Sequence, residues 1–502
     1  MRATATARDW AGLAVLVLPC LLVSLDAEVL NLAAPSLTAA LRPSNVQLLW
    51  ILDSYVFVLS GTLIGAGVLG DRIGRRRLLL TGSAAFALAS LAAAFATSPA
   101  QLIGARVLMG LTGATLMPST LALIRAMFAD PRQRGLALGV WSAGFSLGGV
   151  GAPLIGGVLL EHFWWGSVFV IAAPATALLL IVGPILLPES RDRDATGFDW
   201  FGALLSLFAV LTFVYGLKRL AASGLQLLPL LAIAAAGALG GLFLRRQRRH
   251  PQPLLDLALL KDVRVSVALV ANALSFFVLY GTQFAIGQYL QLVLGMTPLR
   301  AGLWTLPSVV AYLLASLFGP RLTRWFSVGR VIAGGLAVMT VGFAVLAAAG
   351  AVALPAVVAG TVIFSVGLAP AYILTTDLVV STVRPERAGM AAAVTETGTE
   401  LGGALGIAVL GSVGVAAYRQ VLPGTLVDAL TRAAALPAAA GSQLRQTAEH
   451  AYGNAFVLVS LTAAVVVALA AVLAAVFLRP GPVREPALMP EPVVPEKVAA
   501  RR

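Results

Sequence analysis

Charge is scarce in this sequence: 11% of its 502 residues are Asp, Glu, Lys or Arg, against 59% that are hydrophobic. Soluble chains carry about a quarter charged and about half apolar residues, and one aqueous core cannot absorb such an apolar excess. The chain is therefore solvated by lipid, where each spanning helix needs an apolar exterior. Cysteine is almost absent. The single one, Cys20, lies inside the first apolar run, which leaves neither a disulfide framework nor a thiolate metal cluster to consider. Three histidines, His162, His250 and His450, show no metal-ligand spacing, so no metal site is expected. A G-x-x-x-x-G-K-[ST] phosphate loop is missing, so a primary pump would need a separate ATPase. No nucleophile-and-base pair accompanies the acids inside the apolar runs, and the expectation is a transporter without a cofactor rather than an enzyme.

What is present is a series of long apolar runs. Spans are expected near 12–35, 47–69, 78–97, 101–124, 136–160 and 165–187, then a shorter pair near 200–217 and 227–244. Six more follow near 265–292, 302–320, 329–350, 355–379, 387–415 and 453–478. Backbone groups left unpaired in lipid are costly, so each run is read as a helix. The first run is too long for a signal-peptide core, and no small-residue cleavage site follows it. With a cytoplasmic N-terminus, the even-numbered connections and both termini hold 27 of the 35 Lys and Arg residues, and the other side holds seven. This imbalance predicts N-in, C-in topology. The net charge of +13 is thereby explained by topology, with no nucleic-acid partner expected.

The expected organisation is a cytoplasmic N-terminus over 1–11, a six-helix half over 12–190, an inserted hairpin with its linkers over 191–250, and a second six-helix half over 251–478. An external, alanine-rich segment, 419–453, separates the last two spans, and a proline-bearing tail over 479–502 is expected to be disordered. The segment GVLGDRIGRRRLLL after span two has a faint counterpart in GPRLTRWFSVGRV after span ten, as parallel six-helix repeats require.

Six acids and one arginine fall inside spans: Asp26, Glu28, Asp53, Asp377, Glu396, Glu400 and Arg106. An ionisable side chain at membrane depth costs roughly 2.5 to 3.5 kcal/mol even on insertion scales, so each should face a partner, a cavity or the bundle interior. At 1.5 Å per residue, Arg106 and Asp26 lie at similar depths in spans four and one, and are expected to meet. Glu396 and Glu400, four residues apart, share one face of span thirteen. Gly398, Gly402 and Gly406 lie on the opposite face. Two neighbouring carboxylates in low dielectric resist double ionisation, so protons and a cationic ligand compete for the pair. Asp53 reads equally as a mouth residue and as a hydrated interfacial carboxylate, and Asp377 as a local partner of Arg384 and Arg387. Trp50, Tyr55, Trp141, Tyr280, Tyr289 and Tyr372 are candidate π faces for a cation, with packing as the alternative.

Two motifs carry more. Gly70, Asp71, Arg72, Gly74, Arg75, Arg76 and Arg77 combine turn-forming glycines with an acid able to pair with arginine or a helix N-terminus, which suits a conformational latch. In span five, Gly144, Gly148, Ala152 and Gly156, beside Pro153 and Gly157, form a stripe of small residues that lets helices approach closely.

The first motif resembles the G-x-x-x-D-R-x-G-R-R signature of the major facilitator superfamily, and LIGARVLMGLTGA in span four looks like the family's second signature, with Arg106 as its buried cation. GVGAPLIGG is similar to the antiporter signature G-x-x-x-G-P-x-x-G-G, with Ala152 in place of a glycine. LDAEVLNLAAP, QLLWILDSYVFVLSG, LMPSTLALIRAMF, QYLQLVLGMTPLRAGLWTLP and TETGTELGGALGIAVLG extend the resemblance over most of the chain, to the fourteen-helix drug:proton antiporter branch with its QacA-like and SmvA-like exporters. Glu28 departs from it, standing where threonine is usual.

The resemblance implies an all-α integral membrane protein of the major facilitator fold, with two six-helix halves and two inserted helices. It implies proton-coupled export of hydrophobic organic cations across the cell membrane by a monomer. Asp26 and Arg106 would couple the proton. Glu28, Asp53, Glu396, Glu400 and the aromatic residues would bind substrate, and the glycine-rich motifs would gate. Export of a single endogenous metabolite or self-made antibiotic is the alternative, with a transporter-derived sensor as a third.

Overall fold

In the computed structural model, residues 5–191, 198–223, 226–251, 253–296, 298–349, 354–423 and 426–478 are described. The expected tail and most of the charged linker before the inserted pair lie outside them, as do the side chains of Glu28 and Pro153.

The first half comprises α1 (Ala7–Leu41), α2 (Asn45–Ile73), α3 (Arg75–Ala94), α4 (Pro99–Gly113) and α5 (Leu116–Met127), α6 (Pro131–His162), and α7 (Ser167–Val170) with α8 (Ala172–Leu186). α4 with α5, and α7 with α8, each make one interrupted rod. The inserted pair is α9 (Trp200–Ser223) and α10 (Leu227–Arg249). The second half comprises α11 (Val263–Gln288), α12 (Pro298–Phe318), α13 (Val328–Ala349), α14 (Leu354–Thr382), α15 (Ala388–Arg419), the short α16 (Leu426–Ala435) and α17 (Ala438–Phe477). Among the described residues, 13 segments are long and apolar enough to cross a membrane. α6, with 32 residues, is a fourteenth rod of spanning length. The last rod begins earlier than its hydropathy suggests, because α17 runs back to Ala438 and carries α16 packed on its first turns.

Local chemistry marks the helix ends. Thr6 and Ser44 start α1 and α2 with capping boxes, and Asp130 caps α6 just before Pro131. Gly74, at φ 114°, makes the turn from α2 into α3, a backbone region closed to residues with a Cβ. The inserted pair is tied at its base: Arg246 and Gln247 donate to the buried Asp199 carboxylate, and Gln247 Oε1 accepts from the Leu254 and Leu255 amides. Burial alone would push the Asp199 carboxyl up, but the Arg246, Gly202 and Gln247 hydrogen bonds outweigh it and hold it below its ordinary value.

The halves meet with a two-fold logic. The second rod of the first half, α2, packs on the fifth of the second half, α15, and α12 packs on α6 in the same relation. α5 also packs on α15. These contacts lie on the face that bears the α2–α3 connection, where Ile373, Val379, Val380, Ala388 and Met390 join the apolar core of the first half. The two halves are closed together on that face.

Candidate functional site

α1 and α4 bring the expected buried pair together. Arg106 Nη1 donates to Asp26 Oδ2 at 2.6 Å, with side-chain exposures of 1% and 11%. Arg106 Nε donates to the Ile51 carbonyl at 3.2 Å, and the guanidinium stacks 4.5 Å from the Tyr55 ring centroid. Tyr55 is thus a support for the arginine rather than an open π face. The fork satisfies a backbone carbonyl, a carboxylate and an aromatic face at once, a geometry that lysine does not reproduce.

Glu396 occupies the middle of the bundle. Tyr372 of α14 donates to its Oε1 at 3.0 Å, and Phe276 of α11 meets the Tyr372 ring edge-on at 5.1 Å. Tyr280 extends this aromatic wall, 6.0 Å from Phe276, and its ring covers Gly403. From the first half, Trp141 is fully buried and donates to Thr120 Oγ1 at 3.0 Å, while Ser142 and Tyr312 share a 2.6 Å hydroxyl hydrogen bond between the halves. Cys20, Tyr312 and Tyr372 all lie within electrostatic reach of Glu396. Glu400 stands one turn along α15 and is half-buried. The opposite face packs as expected at two of three glycines: Gly402 against the Ala273 backbone and Gly406 against that of Phe277, both on α11, whereas Gly398 faces open space.

The other candidates are placed as follows. Asp53 is half-buried. Trp50 is 42% exposed and meets Phe57 edge-on at 6.3 Å. Tyr289 is buried in the second half, stacked on Phe456. Gly148 and Ala152 are buried, with Gly148 against Ser24 and Leu21 of α1, and Gly156 is buried in the same stripe. Gly157 faces open space.

The glycine-arginine motif divides in two. Asp71 accepts from Arg75 Nε at 2.9 Å and from the Gly389 and Met390 amides at 3.0 and 2.9 Å, at the first turn of α15. Those amides have no partner within a helix and carry its positive end, so a carboxylate there is favoured. Arg75 also donates to the Pro385 carbonyl. Gly70 sits close to Leu78 and Ser119. Arg76 and Arg77 instead turn to Glu189 at the end of their own half, and Arg72 lies 5.9 Å from the Phe198 ring.

A second tie is not legible in the sequence. Asp377 pairs with Arg134 of α6, with Nη2 to Oδ2 at 3.3 Å, rather than with Arg384 or Arg387. Arg125 Nη2 donates to the Ser381 and Val383 carbonyls. Hydrogen bonds to charged groups contribute about 1.5–3 kcal/mol each. Asp377→Arg is therefore expected to open this face and impair the transport cycle, and Arg134→Asp in the same chain to restore part of it. The distance between spin labels across the face checks both.

A bundle of membrane rods with a buried ion pair, a carboxylate between two halves and a tie on one face is the architecture of a membrane transporter. The chain belongs to the Major Facilitator Superfamily, whose family profile matches residues 18–407. It is 41% identical over 487 residues to the multidrug efflux pump LfrA of Mycolicibacterium smegmatis, covering 94% of this chain and 97% of that one. It is 34% identical to the methyl viologen resistance protein SmvA of Salmonella typhimurium, covering 89% and 93%. In fold it is similar to the human organic anion transporter MFSD10, with a TM-score of 0.64 at 16% identity over 93% of this chain and 99% of that one.

Proposed function

We propose that this protein is a proton-coupled antiporter that exports hydrophobic organic cations, quaternary ammonium compounds, dyes and antibiotics among them, across the cell membrane. The carrying observation is Glu396, a carboxylate held by Tyr372 at the meeting of the two halves, with Phe276 against the Tyr372 ring and Tyr312 within electrostatic reach. A desolvated carboxylate with aromatic neighbours suits a lipophilic cation. The relatives, a multidrug efflux pump and a methyl viologen resistance protein, support the same class. In this reading the units are 12–190 and 251–478, both termini are cytoplasmic, and a monomer suffices.

The mechanism is mutual exclusion. With the latched face shut, the site opens to the opposite side, where protons displace the cation from Glu396 and Glu400. Opening of the latch exposes the acids to the cytoplasm, where a cation binds and protons leave. Asp26 exchanges the coupling proton within the first half, and the Arg106 guanidinium beside it, which keeps its own proton, favours the release. Because a carboxylate discriminates by charge, Glu396→Gln and Glu400→Gln are each expected to alter relative rates for mono- and dications by on the order of tenfold, about 1.4 kcal/mol. A pH-jump assay in proteoliposomes, with ethidium and a dicationic viologen, measures this. Transport that persists unchanged after collapse of the proton gradient would overturn the coupling.

A further inference from the structure

Within the inserted pair, α9 is not peripheral. It lies against α2 of one half and α15 of the other, while α10 packs on α9 and exposes Leu227, Leu228, Leu230 and Leu231. The approach to α2 is close because glycines make room for it. A Cβ at Gly61 would stand 2.7 Å from Leu207 Cδ1, and Gly65 faces Ala203 and Phe198. Further along, Phe57 of α2 forms a small separate apolar cluster with Val210 and Val214 of α9, completed by Leu211 and by Leu401 and Ala404 of α15.

Positions 203, 207, 210 and 214 recur at helical spacing, so this is one continuous face of α9. On α15, Ala404 lies four residues after Glu400 and so shares its face one turn on, and Leu401 follows Glu400 directly. From the other side, Tyr55 of α2 lies within electrostatic reach of Glu400. Glu400 is therefore placed at the seam between α2 and α15, the seam that α9 covers.

We propose that α9 is the lipid-side wall of the Glu400 subsite, a seal over the α2–α15 seam that keeps acyl chains away from the carboxylate while the two halves move. A carboxylate open to hydrocarbon is strongly disfavoured, and α2 and α15 belong to halves that shift against each other during transport. A seal made of Val, Leu and Ala side chains slides without exposing an unpaired polar group. The polar tie of Arg246 and Gln247 to Asp199, with Arg72 beside Phe198, fixes the base of the hairpin and leaves its upper face free to follow either half. The inference rests on Glu400 as a cation-binding residue, but the seal itself is a matter of packing.

The test uses the full chain in lipid nanodiscs, treated either with lipid-soluble dicyclohexylcarbodiimide or with a water-soluble carbodiimide, with modification of Glu400 read by peptide mass spectrometry. Leu207→Ala with Val210→Ala and Val214→Ala is expected to raise modification by the lipid-soluble reagent several-fold and to leave that by the aqueous reagent unchanged. Val210→Ala alone should give a smaller rise in the same direction, and serves if the triple variant does not fold. Phe208→Ala, on the exposed side of α9, should leave both rates as they are. Unchanged labelling from the lipid phase, or an equal rise with both reagents, would overturn the seal. Transport by Glu400→Gln that matches the unaltered protein would instead overturn the cation-site reading and leave the labelling result standing.

Discussion

Arg106→Ala is expected to abolish gradient-driven transport and to destabilise the first half, whereas Asp26→Asn is expected to abolish transport with the fold retained. The asymmetry follows from what each side chain does. Arg106 is 1% exposed and serves Asp26, the Ile51 carbonyl and the Tyr55 ring together. Its removal leaves a carboxylate and a carbonyl unanswered in low dielectric, and breaking a buried pair in this way costs about 3–5 kcal/mol. An asparagine in place of Asp26 keeps the shape and still accepts from the guanidinium, but it has no proton to exchange. Arg106→Lys should fold better than Arg106→Ala, since the charge remains, yet it loses the fork that reaches Ile51. Thermal unfolding in detergent, measured beside the pH-jump assay, separates the two effects. Wild-type transport by Asp26→Asn would remove Asp26 from the coupling path.

Gly67→Ala and Gly139→Ala are each expected to reduce transport by more than about tenfold, because a barrier rise of about 1.4 kcal/mol suffices for that factor. Gly67 of α2 faces Gly389 and Ala393 of α15, and an added Cβ would overlap the Gly389 carbonyl oxygen and stand 2.6 Å from the Ala393 Cβ. Gly139 of α6 faces the Ser316 carbonyl of α12 in the equivalent place, where an added Cβ would stand 3.0 Å from its carbon. In both cases the obstacle is backbone, which cannot rotate away as a long side chain does. The variants therefore fold but cannot bring this face together, and their populations shift toward the state open on it. Spin labels at Arg132 and Arg384, one in each half, in a Cys20→Ser background, should report a longer distance in either variant. An unchanged distance with normal transport would show that the closed face tolerates the extra methyl groups.

Much of the site's inventory is readable along the chain, but only some of its partnerships are. Arg106 stands out because a cation inside an apolar run needs an answer, and helical rise places Asp26 at a matching depth. Glu396 and Glu400 are recognisable as one wall from a spacing of four. Asp377 misleads, because Arg384 and Arg387 are its nearest arginines in sequence while the arginine it meets lies 243 residues away. Tyr312 and Ser142 give no signal at all, since a hydroxyl on a membrane helix reads as packing until its counterpart across the bundle is known. Tyr55 and Tyr289 show the converse. Their aromatic character makes them candidates, and their neighbours, a guanidinium and a phenylalanine ring, engage the faces that a ligand would need.

By itself the sequence determined that the chain lives in a bilayer, that its spans are helical, that glycines turn the connection between the second and third rods, and that certain charges had to be paired. Those properties follow from transfer free energies and from backbone hydrogen bonding, which act on contiguous residues. The tertiary structure alone decided which face is closed, that Asp71 caps α15 at a separation of 318 residues, and that α9 bridges α2 and α15 beside Glu400. Lipid offers an apolar helix nearly the same solvation on every side, so hydropathy does not choose its neighbours. Close approach at small residues, and partners for charges that lipid cannot solvate, make that choice.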